Sequence, residues 1–233
     1  MGLRNSHRLQ SAVRRQVERG RLALRGGTFI TVEGGDGSGK TTLIHSLALK
    51  LQQTGHEVLI TREPGGSPIA EAIRAVILSK ENTAMDARTE ALLYAAARRQ
   101  HLAEKVFPAL QRGVDVLCDR FVDSSLVYQG YGRGLGLDAV WDINRFATEG
   151  CMPDLTIYLD LDPEIGLKRI QNNRDREMDR LDLESLAFHR RVREAYLLVA
   201  EQFKERIVTI DASVSKEEIA AQAWTLVEGK LKL

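Results

Sequence analysis

The stretch Val32–Thr42, VEGGDGSGKTT, decides the fold. Within it, Gly34-Gly35-Asp36-Gly37-Ser38-Gly39-Lys40-Thr41 matches G-x-x-x-x-G-K-[ST], the pattern of a loop that wraps phosphate groups. Its glycines permit unusual dihedrals, so successive backbone N–H groups can converge on anionic oxygens. A helix opening at Lys40 would add partial positive charge at the same place. Lys40 can reach the β- and γ-phosphates, and Thr41 can ligate magnesium. Gly34, Gly35, Asp36, Gly37, Ser38, Gly39, Lys40, Thr41 and Thr42 are therefore the candidate ATP-binding residues. Asp36 is out of character there, because a cradle for anions should repel a carboxylate. The loop leaves the acceptor of the phosphate open, since GTPases, motor ATPases and small-molecule kinases all use it.

Outward from this loop, short apolar runs alternate with longer amphipathic ones. Strands are predicted over 28–33, 57–61, 114–118, 155–160 and 206–210. They are β-branched and almost continuously apolar, as strands covered on both faces are. Helices are predicted over 40–54, 68–79, 86–111, 138–148, 163–173, 182–204 and 215–231. This alternation predicts an α/β fold: a three-layer α/β/α arrangement with a five-stranded parallel sheet flanked by helices. Ser67-Pro68 reads as a capping hydroxyl before a proline at the first helical position, and Asp86 as a second cap. The domain is placed at 27–233, with a polar lid at about 171–185. Residues 1–26, rich in arginine with one acid, Glu18, are read as an N-terminal extension outside the fold.

Composition narrows the function. The formal net charge is +1, from 33 basic and 32 acidic residues, which disfavours a nucleic-acid coat or a membrane-surface protein. No apolar run approaches the roughly 18 residues of a membrane span. The two cysteines, Cys118 and Cys151, have no metal-ligand spacing and read as reduced thiols of a cytoplasmic protein.

Three stretches point to an acceptor. TREPGG, Thr61–Gly66, ends the second predicted strand, and ligands of open parallel sheets bind beyond those ends. Arg62 and Glu63 thus lie where substrate belongs. On the long third helix, Tyr94 and Arg98 are four apart and share a face, with only alanines between them. That pair suits stacking on, and hydrogen bonding to, a flat base. In CDRFVDSSLVYQGYGRG, Cys118–Gly134, Asp119 ends a strand and suits magnesium or its waters, and Arg120 suits a phosphate. Ser124, Ser125, Tyr128 and Gln129 follow, and glycines 130, 132, 134 and 136 predict a loop.

Taken together, EGGDGSGKTT, TREPGG, AAARRQ, DRFVDSSLVYQGYGRG, PDLTIYLD and DREMDRLDLE, in this order, resemble bacterial thymidylate kinases over about residues 28–232. The resemblance implies transfer of the ATP γ-phosphoryl to dTMP, giving dTDP and ADP, with magnesium as cofactor and a homodimer as the assembly. It places Tyr94 on the thymine ring, Arg98 and Gln129 on the base edge, Tyr128 under the sugar, and Ser124 and Ser125 beside the base pocket. It places Arg74 and Arg120 on the acceptor phosphate, and Asp36 on the sugar 3′-hydroxyl. Glu63 falls with the acceptor and, with Thr41 and Asp119, with the metal. Gly37 lacks the arginine that some relatives carry in this loop, so the arginine for the transferred phosphate is sought in the lid, at Arg174 or Arg176. Lys40, Arg120, Arg174 and Arg176 are the candidate catalytic set. Another deoxynucleotide or deoxynucleoside kinase, or a nucleotide-driven switch ATPase, is the rival reading. The second would lack an acceptor pocket.

Overall fold

The structure, a computed structural model, describes residues 26–172, 180–181 and 184–233. Five strands form one sheet: β1 (Phe29–Gly34), β2 (Val58–Arg62), β3 (Asp115–Asp119), β4 (Leu155–Asp160) and β5 (Ile207–Asp211). Their order is β2-β3-β1-β4-β5, and every pairing is parallel. Alternate residues of the strands feed opposite faces. Phe29, Val116 and Cys118 belong to one apolar cluster, and Ile30, Leu117 and Ile157 to the other. This is the three-layer arrangement that the strand–helix alternation predicts.

The helices follow the apolar periodicity. α1 (Lys40–Gln53) buries Leu43, Ile44, Leu47, Ala48 and Leu51, one stripe of a 3.6-residue helix, against the sheet. It is joined on that face by α9 (Lys216–Leu231), which Ser215 and Glu218 close with a reciprocal capping box. α2 (Pro68–Leu78) packs along α3 (Ala87–His101), which runs through a π-helical turn (Leu102–Val106) into α4 (Phe107–Gln111). Asp86 caps α3 as predicted, accepting from the backbone N–H of Arg88 and Thr89. Ser67 does not cap α2: its hydroxyl is buried, with no partner among the described residues. The carboxylate of Glu71 instead accepts from the Gly66 N–H at 2.7 Å.

Of the loop predicted at glycines 130, 132, 134 and 136, the first two lie in helix and the last two, both with positive φ, lie in a loop. A short α5 (Val122–Ser125) continues into a π-helical segment, Leu126–Gly132, before α6 (Leu137–Thr148). The glycines there serve close packing. A Cβ on Gly130 would meet Leu137 at 3.1 Å, and one on Gly132 would meet the Phe188 ring at 3.1 Å. π-turns recur at functional sites because they re-aim side chains within a helix. α7 (Pro163–Asn172) and α8 (Leu186–Gln202) complete the described fold. Both cysteines are free and buried. Among the described residues, no helix is long and apolar enough to cross a membrane.

Candidate active site

β1 is the central strand, and the phosphate loop leaves its carboxyl end, where open parallel sheets bind ligands. Gly39 holds a left-handed conformation (φ 95°) directly before α1, turning the chain from loop to helix. Lys40 is buried and folds over the loop, donating from Nζ to the Gly34 carbonyl at 3.2 Å and the Gly35 carbonyl at 2.9 Å. Burial and the neighbouring Arg120 charge lower its ammonium to about 8.

Thr41 donates its hydroxyl to Asp119 Oδ2 at 3.1 Å, so the loop helix and the end of β3 meet at these two side chains. Among the described residues, no cluster of three or more metal-binding side chains exists. Magnesium sites commonly use one or two protein oxygens, the rest coming from substrate phosphates and water.

Arg120 sits one residue beyond β3 with φ 68°, a conformation uncommon for a non-glycine residue and characteristic of functional sites. Its guanidinium donates to Asp36 Oδ1 at 2.8 Å and to the Tyr196 hydroxyl at 3.1 Å, and lies over the Tyr128 ring. Under this turn lies Glu33, fully buried in β1. It accepts from the Phe121 N–H at 2.7 Å, the Ser124 hydroxyl at 2.6 Å and the Tyr196 hydroxyl at 2.8 Å. Burial, and then the nearby Asp123 charge, push its carboxyl up to about 7. Asp36 thus stands in the loop as the ion-pair partner of Arg120.

On the acceptor side, Glu63 uses both carboxylate oxygens within the protein. Oε2 accepts from Arg98 Nε at 2.7 Å, and Oε1 pairs with His101 Nδ1 at 2.9 Å. This pairing sets Glu63 under Arg98; the sequence reading places it with both the acceptor and the metal. Arg98 also donates to Ser125 Oγ at 3.1 Å, to Asn144 Oδ1 and to the Phe121 carbonyl at 3.1 Å. Of the five N–H donors of a guanidinium, one on Nη2 has no protein acceptor among the described residues. Ser125 is a support of Arg98, while Ser124 lines the cleft. Arg74 donates to the Pro64 carbonyl at 2.9 Å and also lines the cleft.

One continuous cleft of about 860 Å³ joins these parts. It runs from Gly37–Thr42 past Asp119 and Arg120 to Arg74, Tyr94, Arg98, Tyr128 and Gln129. Its other end is lined by Ala212, Val214, Ile219 and Ala220, with Arg169 of α7 and Lys216 beside them. Sequence reasoning missed this end. Its one available signal was position, directly after the carboxyl end of β5.

Gly37 also has a structural reason to be bare. Its φ is 76°, and a Cβ there would stand 2.3 Å from the Gly166 carbonyl of α7. A Cβ on Gly166 would stand 2.3 Å from the Asp36 carbonyl. Two glycines let α7 lie backbone to backbone on the phosphate loop, and Arg169 of that helix donates to the Gly37 carbonyl at 3.3 Å. Arg174 and Arg176 lie outside the described residues.

A sequence model described as Thymidylate kinase matches residues 32–223. The chain belongs to the thymidylate kinase family. Its activity is that of the family, transfer of a phosphoryl group from ATP to dTMP. It is 58% identical over 205 residues to the thymidylate kinase of Bacillus cytotoxicus, covering 88% of this chain and 99% of that one. It is 58% identical over 206 residues to that of Geobacillus thermodenitrificans, covering 88% and 92%. The crystal structure of thymidylate kinase from Ehrlichia chaffeensis superposes with a TM-score of 0.70 at 30% identity, covering 87% of this chain and 99% of that one. An acceptor cleft joined to the phosphate loop sets the family reading above a nucleotide switch, which needs none.

Proposed function

We propose that the two substrates lie end to end in the cleft, ATP on the phosphate loop and dTMP between Arg120 and Tyr94. The observation that carries this is the single cleft with cationic side chains at its waist and an aromatic ring at its acceptor end. Tyr94 stacks on thymine, the unengaged Nη2 hydrogen of Arg98 meets the base edge beside Gln129, and Tyr128 lies under the sugar. Arg74 and Arg120 hold the acceptor phosphate, and Asp36 takes the 3′-hydroxyl. Glu63 and Ser125 keep Arg98 in place.

A phosphate monoester has its second pKa near ~6, so the attacking oxygen is ionised at neutral pH and needs no base. The barrier is the approach of two anions. Positioning and charge neutralisation are then the whole task. Lys40 swings from the loop carbonyls to the β- and γ-phosphates, and Arg120 brings the acceptor phosphate into line. Thr41 and Asp119 would hold magnesium, which would supply positive charge to offset that of the phosphates. Arg174 or Arg176 supplies the arginine for the transferred group. The assembly is a homodimer. The free buried thiols fit the reducing cytoplasm.

The test is coupled ADP release with Mg-ATP against dTMP, dUMP, dCMP, dGMP and thymidine. dTMP should give the highest kcat/KM, and thymidine should give no turnover. Hydrolysis that ignores dTMP would overturn the placement. The same assay on Arg174→Ala and Arg176→Ala should show kcat down by about 10³-fold in one of them, with KM for dTMP little changed.

A further inference from the structure

Glu90 has no part in the roles assigned above, yet it is 1% exposed and accepts four hydrogen bonds. It lies on α3, one turn before Tyr94 on the same helix face. Its Oε1 accepts from Gln129 Nε2 at 2.9 Å and from Arg133 Nε at 3.2 Å. Its Oε2 accepts from Arg180 Nη2 at 2.5 Å and Arg133 Nη2 at 3.3 Å. Arg180 also donates from Nε to the Ile77 carbonyl at 2.9 Å, joining the chain beyond α7 to the end of α2.

We propose that Glu90 determines which pyrimidines the acceptor site takes, by fixing the amide of Gln129 with its NH₂ group on Glu90 and its Oε1 toward the base. A terminal amide has a donor end and an acceptor end of nearly the same shape, so its orientation is set by what it meets. An ionised carboxylate only accepts. Burial raises the Glu90 carboxyl, but hydrogen bonds from Gln129, Arg180 and Arg133 outweigh this and hold it below the ordinary range. Glu90 therefore admits one orientation of Gln129, whose Oε1 receives no hydrogen bond from any described residue. Gln129 lines the cleft and is 1% exposed.

An acceptor at this point selects a base that offers N–H. Thymine and uracil carry N3–H. Cytosine presents a lone pair at N3, which would face the lone pairs of Oε1. Buried sites built around one hydrogen-bond direction reject the wrong partner strongly, because a polar atom is left unpaired. The inference rests on the proposed role of Gln129 as a base reader and adds what aims it.

Glu90→Gln removes the constraint while keeping the volume. An amide at position 90 can offer either end, so Gln129 can turn its NH₂ to the cleft and pair with cytosine. We expect the dTMP-to-dCMP ratio of kcat/KM to fall by about tenfold or more. The dTMP-to-dUMP ratio should stay within about twofold, since both bases carry N3–H, and KM for ATP should stay within the same margin. Gln129→Leu is the parallel arm. If it leaves KM for dTMP unchanged, the base-reading role itself fails. If it raises KM while Glu90→Gln keeps the wild-type dTMP-to-dCMP ratio, only the Glu90 inference fails. An equal loss on dTMP, dCMP and dUMP would mark Glu90 as a brace for Arg133 and Arg180, and would also overturn it. Should Glu90→Gln melt below assay temperature, Glu90→Asp takes its place. It keeps the negative charge but draws back from all its partners, so the dTMP-to-dCMP ratio should fall with the dTMP-to-dUMP ratio unchanged, and an equal loss on all three substrates overturns the inference.

Discussion

Asp36 was the residue least at home in the sequence, and its ion pair with Arg120 at 2.8 Å explains it. The carboxylate faces across the cleft, where it holds the guanidinium proposed for the acceptor phosphate. Asp36→Ala should raise KM for dTMP about tenfold, the scale of a lost charged hydrogen bond, and KM for ATP far less. Steady-state kinetics with each substrate varied in turn decide it, and the reverse pattern would refute the assignment. Glu33 is the second informative residue. Its carboxyl titrates at about 7 when folded and near 4.5 ordinarily, so folding favours the protonated form. Its contribution to stability is fully present below about 4.5 and is lost as pH rises through about 7. Glu33→Gln abolishes that titration. The Tm of the variant minus that of the wild type should therefore climb between pH 5 and 7 and level off above. A flat difference across that range would show Glu33 to be ionised throughout.

Among the elements, α7 is tied to the phosphate loop by backbone contact. It lies on the phosphate loop through Gly37 and Gly166, and it places Arg169 at the donor end of the cleft. Gly166→Ala puts a methyl group against the Asp36 carbonyl, where backbone must yield. We expect a loss of about 1–3 kcal/mol of stability by overpacking, seen in denaturant unfolding. kcat/KM should fall for both substrates, because the loop touches both. An alanine at Gly229, where a Cβ meets nothing within 4 Å, should be tolerated and serves as control. Elements were also where sequence reasoning did best and worst. All five strands fall within a residue or so of the predicted spans, because short β-branched apolar runs are a local signal; β2, at the sheet edge, is nonetheless not buried on both faces as expected. Of the glycines read as a loop, 134 and 136 lie in one, whereas 130 and 132 fall in the π-helical segment 126–132. Its glycines answer to Leu137 and Phe188, which no local pattern reveals.

At the scale of the whole molecule, α2, α3 and α6 pack side by side and leave an apolar outer surface. Phe146 is 88% exposed, Leu92 56%, Ile69 54% and Val76 47%. Ile69 and Val76 are seven apart, two turns on one face of α2. Exposed apolar surface of this kind marks interfaces, and it is the basis here for the proposed homodimer. Phe146→Asp should convert the dimer to monomer in light scattering. A wild-type protein that is monomeric at micromolar concentration would refute the dimer outright.

The sequence alone determined the phosphate loop, the parallel sheet and the family. Each rests on residues adjacent in the chain or spaced by a helical or strand period, where backbone geometry enforces the pattern. It also named Arg98, Arg120, Tyr128 and Gln129, though not what holds them. Tertiary structure decided that Glu63 buttresses Arg98, 35 residues away, that Gly37 is bare for Gly166, and that Glu90 takes one end of the Gln129 amide, 39 residues away. These pairings depend on which elements the folded sheet and helices bring together. Charge and hydrogen-bond direction act over a few ångströms of space, and no spacing along the chain encodes them.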